Sequence, residues 1–335
     1  MEMQKTKLIK ALSLTAGLVL STSALSATWK MAVGDGGGSA QEALGIKFSE
    51  VLAEKTNDKI TSTLFVNGQL GSEQATVNDV ALGTLDMSII AANNLAPFSP
   101  SVGLLALPYI FENIDQAEKV INSDIEKRLT ETTLQQANVR IVAWSYSGFR
   151  MLTNSKRPVK NLDDLKGLFI RVPKSDLIIK TYQSFGVNPT PVAWSETFTA
   201  LQQQVVDGQE TPYAAIYSMK FAEIQKYLTE THYLFALEPL IMSESLFQDQ
   251  SKEVQQAILE AGKEATEYSL SWIKEKESSI KEELVSKYGM EIDQLEDEAE
   301  WVKKAQAGVW PEFYEQVGGK DKINELLSLL GREKI

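Results

Sequence analysis

The feature that most constrains the fold is a long helical pattern near the C-terminal end of the chain. Ser251 can cap this helix and Gly289 can end it. Between them, apolar or small residues recur every three or four positions, at Val254, Ile258, Ala261, Ala265, Tyr268 and Trp272. About 36 residues at 1.5 Å each give a helix of about 54 Å, which is longer than one small domain is wide. We therefore expect the helix to lie across two domains.

The first part of the chain after residue 26 alternates between strand and helix patterns. Strands are predicted at residues 28–34, 59–66 and 85–90, and one helical pattern lies between each strand and the next. This order predicts an α/β fold with a parallel or mixed sheet covered by helices. Because no Pro/Gly-rich linker separates two domains, we expect the chain to cross between the domains more than once.

A charged residue interrupts an apolar strand pattern in the middle of the chain. Residues 168–172 favour a strand, and Pro173 ends it because proline cannot donate to a ladder. Arg171 is therefore placed at a strand end, where α/β proteins gather their ligand sites. A buried guanidinium needs partners for its five donors, and its planar fork suits a carboxylate. The alternative is an arginine that pairs with a nearby aspartate or extends to the surface.

Other polar residues also follow predicted strands. Arg150 ends a strand pattern at residues 139–150, beside aromatic residues for which core packing is the alternative. Asp35 opens a glycine-rich loop that matches neither the Walker nor the dinucleotide-binding pattern. Asn93 follows the third strand, where an ordinary turn residue is equally expected. These residues are candidates for contact with a ligand.

The stretch from Ser195 to Gly208 is predicted to be a helix. Ser195 is a candidate N-cap, and Gly208 stands where a helix commonly ends. Phe198 and Leu201 would share its apolar face.

The N-terminal segment has the pattern of a signal peptide. Lys5, Lys7 and Lys10 precede a mostly apolar run at residues 11–20, and small residues follow up to Ser26. Ten apolar residues are too few to span a membrane, which needs roughly 20. We predict cleavage after Ser26, give or take two residues, and export of the mature protein to the periplasm.

The composition limits the chemistry that the chain can perform. The 335 residues carry a formal net charge of −12, which argues against nucleic acid and anionic membrane surfaces as partners. With no cysteine and only His232 as histidine, thiolate chemistry is excluded, and a histidine-based metal site or catalytic triad would rest on one residue. No cofactor and no metal are expected. An exported hydrolase is a poor alternative because no G-x-S-x-G motif is present, although composition does not exclude a glycosidase.

Six segments, in the same order along the chain, resemble the solute-binding proteins of tripartite ATP-independent periplasmic (TRAP) transporters, the DctP-like group. They are NGQLGSEQ at 67–74, LALPYIF at 105–111, GFR-x-x-T at 148–153, KGLFIRVP at 166–173, PTPVAWSETFTALQQQVVDGQETP at 189–212 and FAEIQKYL at 221–228. The resemblance covers essentially the whole chain. Several such motifs in the right order are far more specific than any one of them.

The resemblance implies a two-lobed periplasmic binding protein, type II-like, with a central ligand cleft and a long helix that spans both lobes. Lobe I would comprise residues 27–147 and about 237–276. Lobe II would comprise residues 148–236 and about 277–330.

The resemblance also implies roles for individual residues. Arg171 matches the arginine that forms a bidentate pair with the ligand carboxylate, and Arg150 matches a supporting arginine. Trp194 lines the cleft. Thr211 stands where many members have asparagine, so the second carboxylate contact there is in doubt or passes to water or Gln209. Further cleft positions are Tyr233, Asn93, Asp35 and Tyr213.

The function implied by the resemblance is capture of a small organic acid and its delivery to the membrane subunits of a TRAP permease by a monomeric, non-enzymatic protein. A ligand sensor that presents its closed form to a receptor is an alternative with the same fold and site. The ligand is left open among sugar acids, C4-dicarboxylates, aromatic acids and sulfonates, with a preference for a sugar acid or a C4-type acid.

Overall fold

The computed structural model describes residues 27–335, so the predicted signal peptide lies outside the described residues. The strands are β1 Ala27–Val33, β2 Ile60–Phe65, β3 Met87–Ile89, β4 Val139–Asn154, β5 Arg171–Val172, β6 Thr190–Pro191, β7 Gly208–Pro212, β8 Tyr227–Glu230, β9 Phe235–Ser243 and β10 Glu291–Gln294. The helices are α1 Ala40–Lys55, α2 Glu73–Ala81, α3 Ala92–Leu95, α4 Ile114–Ile121, α5 Asp124–Ala137, α6 Asp176–Ser184, α7 Thr197–Gln202, α8 Tyr213–Ser218, α9 Glu244–Gln248, α10 Lys252–Ser286, α11 Glu298–Gly308, α12 Trp310–Phe313 and α13 Lys320–Leu329. Short 3-10 segments lie at Pro100–Ala106, Leu162–Leu165, Trp194–Glu196 and Phe221–Glu223.

The long strand β4 joins two parts of one mixed sheet. The strand order is β10-β8-β4-β9-β3-β1-β2, and β7 also pairs with β4. The first part of β4 pairs with β9, whereas its last residues, from Arg150 to Asn154, pair with β7 and β8. All these pairings are antiparallel, but β1 runs parallel to both β2 and β3. The predicted α/β fold with a mixed sheet is confirmed, and β4 is the strand that crosses from one part to the other.

The helix α10 is the second element that connects the two parts. Its 35 residues span about 52 Å, and the Ser251 hydroxyl caps the first turn by accepting from the backbone N–H of Val254 at 3.3 Å. Lys55 of α1 forms ion pairs with the N-terminal half of α10. Tyr217 of α8 donates to Glu283 near the other end at 2.9 Å. The predicted long helix is therefore present, and it contacts both parts of the sheet.

The prediction of one helix from Ser195 to Gly208 is wrong in three respects. Ser195 lies in a 3-10 turn and caps nothing, and α7 ends at Gln202. Gln204 then adopts a left-handed conformation with φ of 58°, which breaks the helix. Gly208 begins β7 instead of following a helix, and it packs so closely on β4 that a Cβ there would overlap the carbonyl oxygen of Thr153. Pairing with β4 therefore outweighs the local helical pattern.

The C-terminal helices return across the molecule. Trp301 of α11 packs on Phe185 after α6, with ring centroids 4.6 Å apart. Glu325 of α13 pairs with Arg128 of α5 at 2.6 Å. Thus α11 lies against the predicted second lobe and α13 against the predicted first one, and the lobe boundaries stay a prediction. Among residues 27–335, no helix combines the length and apolar character that crossing a membrane requires.

Candidate functional site

A buried guanidinium without an ion pair marks the candidate site. Arg171 in β5 is 1% exposed. Its Nε and Nη2 both donate to the carbonyl oxygen of Val192, at 3.0 and 2.8 Å. Its Nη1 is buried and has no hydrogen-bond partner. Burial lowers the pKa of Arg171 to about 10 because no carboxylate in direct contact compensates for the lost water.

The second arginine of the site is fully paired. Arg150 near the end of β4 forms a bidentate contact with Glu210 of β7, in which Nη2 donates to Oε1 at 2.8 Å and Nε donates to Oε2. The pair is diagonal across the antiparallel strands β4 and β7, because Arg150 stands opposite Pro212 and Glu210 stands opposite Leu152. The Tyr233 hydroxyl also donates to Glu210. Although burial alone would lower the pKa of Arg150, Glu210 raises it above its usual value.

Two further carboxyl groups come from distant elements. Glu73 in the first turn of α2 accepts from the backbone N–H of Ala91 at 3.1 Å and from the Asn94 side-chain amide. Glu238 of β9 accepts from the Ser147 hydroxyl. Burial raises the pKa of both carboxyl groups, because a low-dielectric site disfavours the charged form.

Asp35, directly after β1, is the third carboxyl group and the least satisfied one. It lies beside the indole N–H of Trp194 without completing a hydrogen bond to it, and that indole nitrogen has no other partner. Burial and the neighbouring Glu73 raise the pKa of Asp35 to about 7. Asp35 is therefore placed to change charge near neutral pH.

These groups surround a small cavity between the two parts of the sheet. Its lining residues are Asp35, Gln41, Glu73, Ala91, Asn94, Arg150, Arg171, Pro173, Trp194, Thr211 and Glu238. The enclosed space is about 20 Å³, which is enough for about one water molecule. The cavity combines a positive group that has an unused hydrogen-bond donor with several polar acceptors. Its walls leave little space between these groups.

Loops on the two sides of the cavity approach each other at glycine residues. A Cβ on Gly36, in the loop after β1, would lie 2.5 Å from the carbonyl oxygen of Ser218 at the end of α8. A Cβ on Gly68 would lie 3.1 Å from the Cβ of Ser195. The loops after β1 and β2 therefore touch the elements that follow β6 and β7, as in a closed cleft.

The structure brings together five of the residues proposed from sequence. They are Arg171, Arg150, Trp194, Thr211 and Asp35, and all line the cavity. Trp194 also lies under the guanidinium of Arg171, whose Cζ is 5.3 Å from the ring centroid. This arrangement favours a cation–π contact that keeps the fork in place.

The other four proposed residues do not line the cavity. Gln209 donates to Thr153 at 3.0 Å inside β4 and β7. Tyr213 donates to Glu230 at 2.7 Å, and Asn93 donates to the neighbouring Asn94 at 3.2 Å. The Tyr233 hydroxyl donates to Glu210 and thereby orients its carboxylate. Direct ligand contact by these four residues stays a prediction.

Six lining residues are not among the nine site residues proposed from the sequence, and four of them have polar side chains, namely Gln41, Glu73, Asn94 and Glu238. Glu238 carries the same signal that singled out Arg171, because it is a charged residue inside an apolar strand pattern. Glu73 lies in the first turn of α2, where an acidic residue is typical, so its position in the sequence does not single it out. Asn94 is the neighbour of the proposed Asn93. Both residues lie in the short helix α3, and of the two only Asn94 lines the cavity.

Comparison with known proteins agrees with this geometry. The family described as bacterial extracellular solute-binding protein, family 7 (DctP) matches residues 38–316. The 2,3-diketo-L-gulonate-binding periplasmic protein YiaO of Escherichia coli is 34% identical over 234 residues, which are 70% of this chain and 71% of that protein. A solute-binding protein of Verminephrobacter eiseniae is 32% identical over 89% of this chain and 88% of that protein.

Solved structures share the fold. A TRAP periplasmic solute-binding protein from Polaromonas sp. JS666 bound to D-erythronate has a TM-score of 0.86 and 27% identity, covering 92% of this chain and 100% of that chain. One from Roseobacter denitrificans with bound L-galactonate has a TM-score of 0.84 and 30% identity, covering 91% and 98%. One from Rhodobacter sphaeroides, described as apo and open, has 37% identity but a TM-score of 0.74, covering 91% and 99%. The chain belongs to family 7 of the bacterial extracellular solute-binding proteins, the DctP family.

Proposed function

We propose that this protein captures a small organic acid in the cavity around Arg171 and delivers it to a TRAP-type transporter in the membrane. The observation that carries the proposal is the buried Nη1 of Arg171, which has donor capacity but no partner. A ligand carboxylate would complete the bidentate pair for which the planar fork is suited. The family and the carboxylates named in the related structures support the same ligand class.

The proposed binding cycle is closure of two lobes around the ligand. We propose residues 27–147 and about 237–276 as lobe I, and residues 148–236 and about 277–330 as lobe II, with α13 packed on lobe I. β4 and α10 cross between the lobes and would carry the hinge. This chain is more similar in shape to the ligand-bound relatives than to the open one, although the open one is more similar in sequence. That contrast supports a closed form here.

The family supports a proposal for the partners and the compartment. We propose that the protein acts in the periplasm as a monomer, after removal of the signal peptide near Ser26, and that the closed form docks on the TRAP permease. Ligand binding would then favour docking by a population shift. The relatives named above are binding proteins, and we propose that this chain catalyses no reaction.

A thermal-shift screen tests the ligand class. A panel of small carboxylates is compared with the corresponding uncharged alcohols on the mature protein. A ligand at 100 times its dissociation constant stabilises the folded state by about 2.7 kcal/mol. We expect at least one carboxylate, and none of the alcohols, to raise the melting temperature. If no carboxylate does so across the panel, the proposed function is wrong.

A further inference from the structure

We infer that the ligand carries one carboxylate, held by Arg171, and that its remaining polar groups are hydroxyls facing Asp35 and Glu238, so that the site rejects a second carboxylate. This inference rests on the proposed function and deepens it. It separates hydroxylated monocarboxylates, such as aldonates, from dicarboxylates of the same length.

The first step is the balance of charge around the cavity. Arg150 is already paired with Glu210, which balances its charge. Arg171 is then the remaining cation, and it faces three buried carboxyl groups that also line the cavity, those of Asp35, Glu73 and Glu238. One ligand carboxylate balances the charge of Arg171. A second carboxylate would lie among lining residues that already include more acids than bases.

The second step concerns the hydrogen bonds that the three acids already form. Glu73 is held by a backbone N–H and by Asn94, and Glu238 accepts from Ser147. The Asp35 carboxyl group lies beside the indole N–H of Trp194, which has no hydrogen-bond partner of full geometry among residues 27–335. Arg150, not Arg171, is the cation whose attraction acts on both Asp35 and Glu238. The wall formed by Asp35, Glu73 and Glu238 therefore presents carboxyl oxygen atoms to a ligand. It presents no free positive charge.

The third step is the chemistry that suits such a wall in either protonation state. A hydroxyl group donates to a carboxylate and accepts from a carboxylic acid, so it fits whether or not Asp35 or Glu238 holds a proton. A ligand carboxylate is repelled by the ionised form, and it can be accommodated only where the acid keeps its proton and donates its O–H. A hydroxyl therefore suits both states of the acid, whereas a second carboxylate suits only one. A metal ion does not explain the acids, because among residues 27–335 no group of three or more acidic or histidine side chains is arranged to hold one.

The experiment compares each aldonate with the aldarate that has the same carbon chain and inner hydroxyls but a second carboxylate in place of the terminal CH2OH group. Suitable pairs are erythronate with meso-tartrate, and galactonate with galactarate, measured by calorimetry on the mature protein at pH 7.5. We expect an aldonate to bind at least tenfold more tightly than its aldarate. Asp35→Asn and Glu238→Gln remove a charge with little change of size, so each should lower this ratio at least threefold.

A control variant is Glu277→Gln, which removes a partly buried carboxylate outside the cavity and should leave the ratio unchanged. A melting curve of each variant checks that it is folded, and either cavity variant alone suffices for the test. The inference is overturned if an aldarate binds within threefold of its aldonate, if neither cavity variant changes the ratio from its wild-type value, or if only amino acids or unhydroxylated acids bind. In those cases a carboxylate still binds and the proposed function stands, whereas failure of every carboxylate would remove both.

Discussion

Arg150 and Arg171 line the same cavity, but their charges are balanced differently. Arg150 has a bidentate partner in Glu210, whereas Arg171 is held only by a backbone carbonyl and by the ring of Trp194. A buried pair is costly to break because the remaining partner stays desolvated. A buried cation without a counterion is costly to keep. The first arrangement serves the fold, and the second suits an anionic ligand.

Substitution of Arg171 should affect binding more than stability. Arg171→Ala is expected to weaken carboxylate binding by roughly 2–5 kcal/mol, which is about thirty- to several-thousand-fold in affinity. Arg171→Lys should recover only part, since an ammonium cannot reproduce the fork. The ligand-free protein should remain folded in both variants, because no ion pair is lost. Calorimetry and melting curves measure the two effects, and binding of Arg171→Ala within threefold of wild type would contradict the assignment.

Substitution of Arg150 should have the opposite profile. Arg150→Ala leaves Glu210 buried without its partner, so we expect the free energy of unfolding to fall by about 3–5 kcal/mol. Adding Glu210→Gln in the same chain should restore part of the loss, because the unpaired charge is then removed. Urea unfolding of the single and double variants measures this, and a single variant as stable as wild type would show that the pair is not structural.

Asp35 should make stability depend on pH. Its pKa is raised from 3.8 to about 7, so the folded protein keeps a proton that the unfolded chain has already released between these values. The free energy of unfolding should therefore decrease as pH rises from about 4 to about 7, by up to about 1.4 kcal/mol per pH unit for one proton. Urea unfolding at pH 5 and 7.5 should give a smaller difference for Asp35→Asn than for wild type. An exposed control, Asp321→Asn, should retain the wild-type difference, and equal differences in all three would exclude this role of Asp35.

At the scale of elements, the crossing of α10 over β4 decides how the two parts of the sheet are held. Gly262 lies where the helix is closest to the strand, and a Cβ there would overlap the carbonyl oxygen of Val142. The obstacle is backbone, which cannot move aside as a side chain can. A glycine inside a long helix normally lowers helix stability, so its presence is explained by this close approach.

Gly262→Ala should therefore destabilise the protein, against the general preference of helices for alanine. We expect a loss of about 1–3 kcal/mol in the free energy of unfolding, because the helix must move away from β4. Ser278→Ala, at an exposed position of the same helix, should change stability by less than about 0.5 kcal/mol. Thermal unfolding of the two variants provides the measurement, and a stabilised Gly262→Ala would mean that α10 and β4 are not in close contact.

At the scale of the whole molecule, the closed cavity depends on contacts between loops that lie far apart in the sequence. Gly36 meets the end of α8, and Gly68 meets Ser195. The enclosed volume of about 20 Å³ is smaller than an organic acid. A ligand must therefore enter an open form, and the walls must settle around it.

Gly36→Ala should act as a wedge in the closed form. Its methyl group would lie 2.5 Å from the backbone carbonyl oxygen of Ser218, whereas its other close neighbour is the Asn67 side chain at 3.0 Å, in the loop after β2. We expect at least tenfold weaker ligand binding and a smaller ligand-induced decrease in the radius of gyration measured by small-angle scattering. Gly37→Ala is the matched control, because its Cβ would meet only the flexible Glu42 side chain at 3.7 Å. Equal affinity of the two variants would argue against closure at this contact.

The sequence by itself determined the local features of this protein. The cap at Ser251, the periodicity of α10 and the early strands depend on residues close together in the chain, so they were predictable from pattern alone. Arg171 was identified for the same reason, since a charge within an apolar strand is a local anomaly. The resemblance to the TRAP binding proteins extended this to the fold class and family.

Only the tertiary structure decided which distant groups share the cavity. β7 is a strand because it pairs with β4, more than fifty residues earlier in the sequence, and no local pattern encodes that partner. Asp35, Glu73 and Glu238 come from three separate elements. Burial raises the pKa of all three, and neighbouring carboxyl groups raise the pKa of Asp35 and Glu238 further. Burial and long-range charge interactions arise only when the chain has folded. For that reason Arg171 and Asp35 were predictable as single residues, whereas the gathering of three acids around one cavity was not.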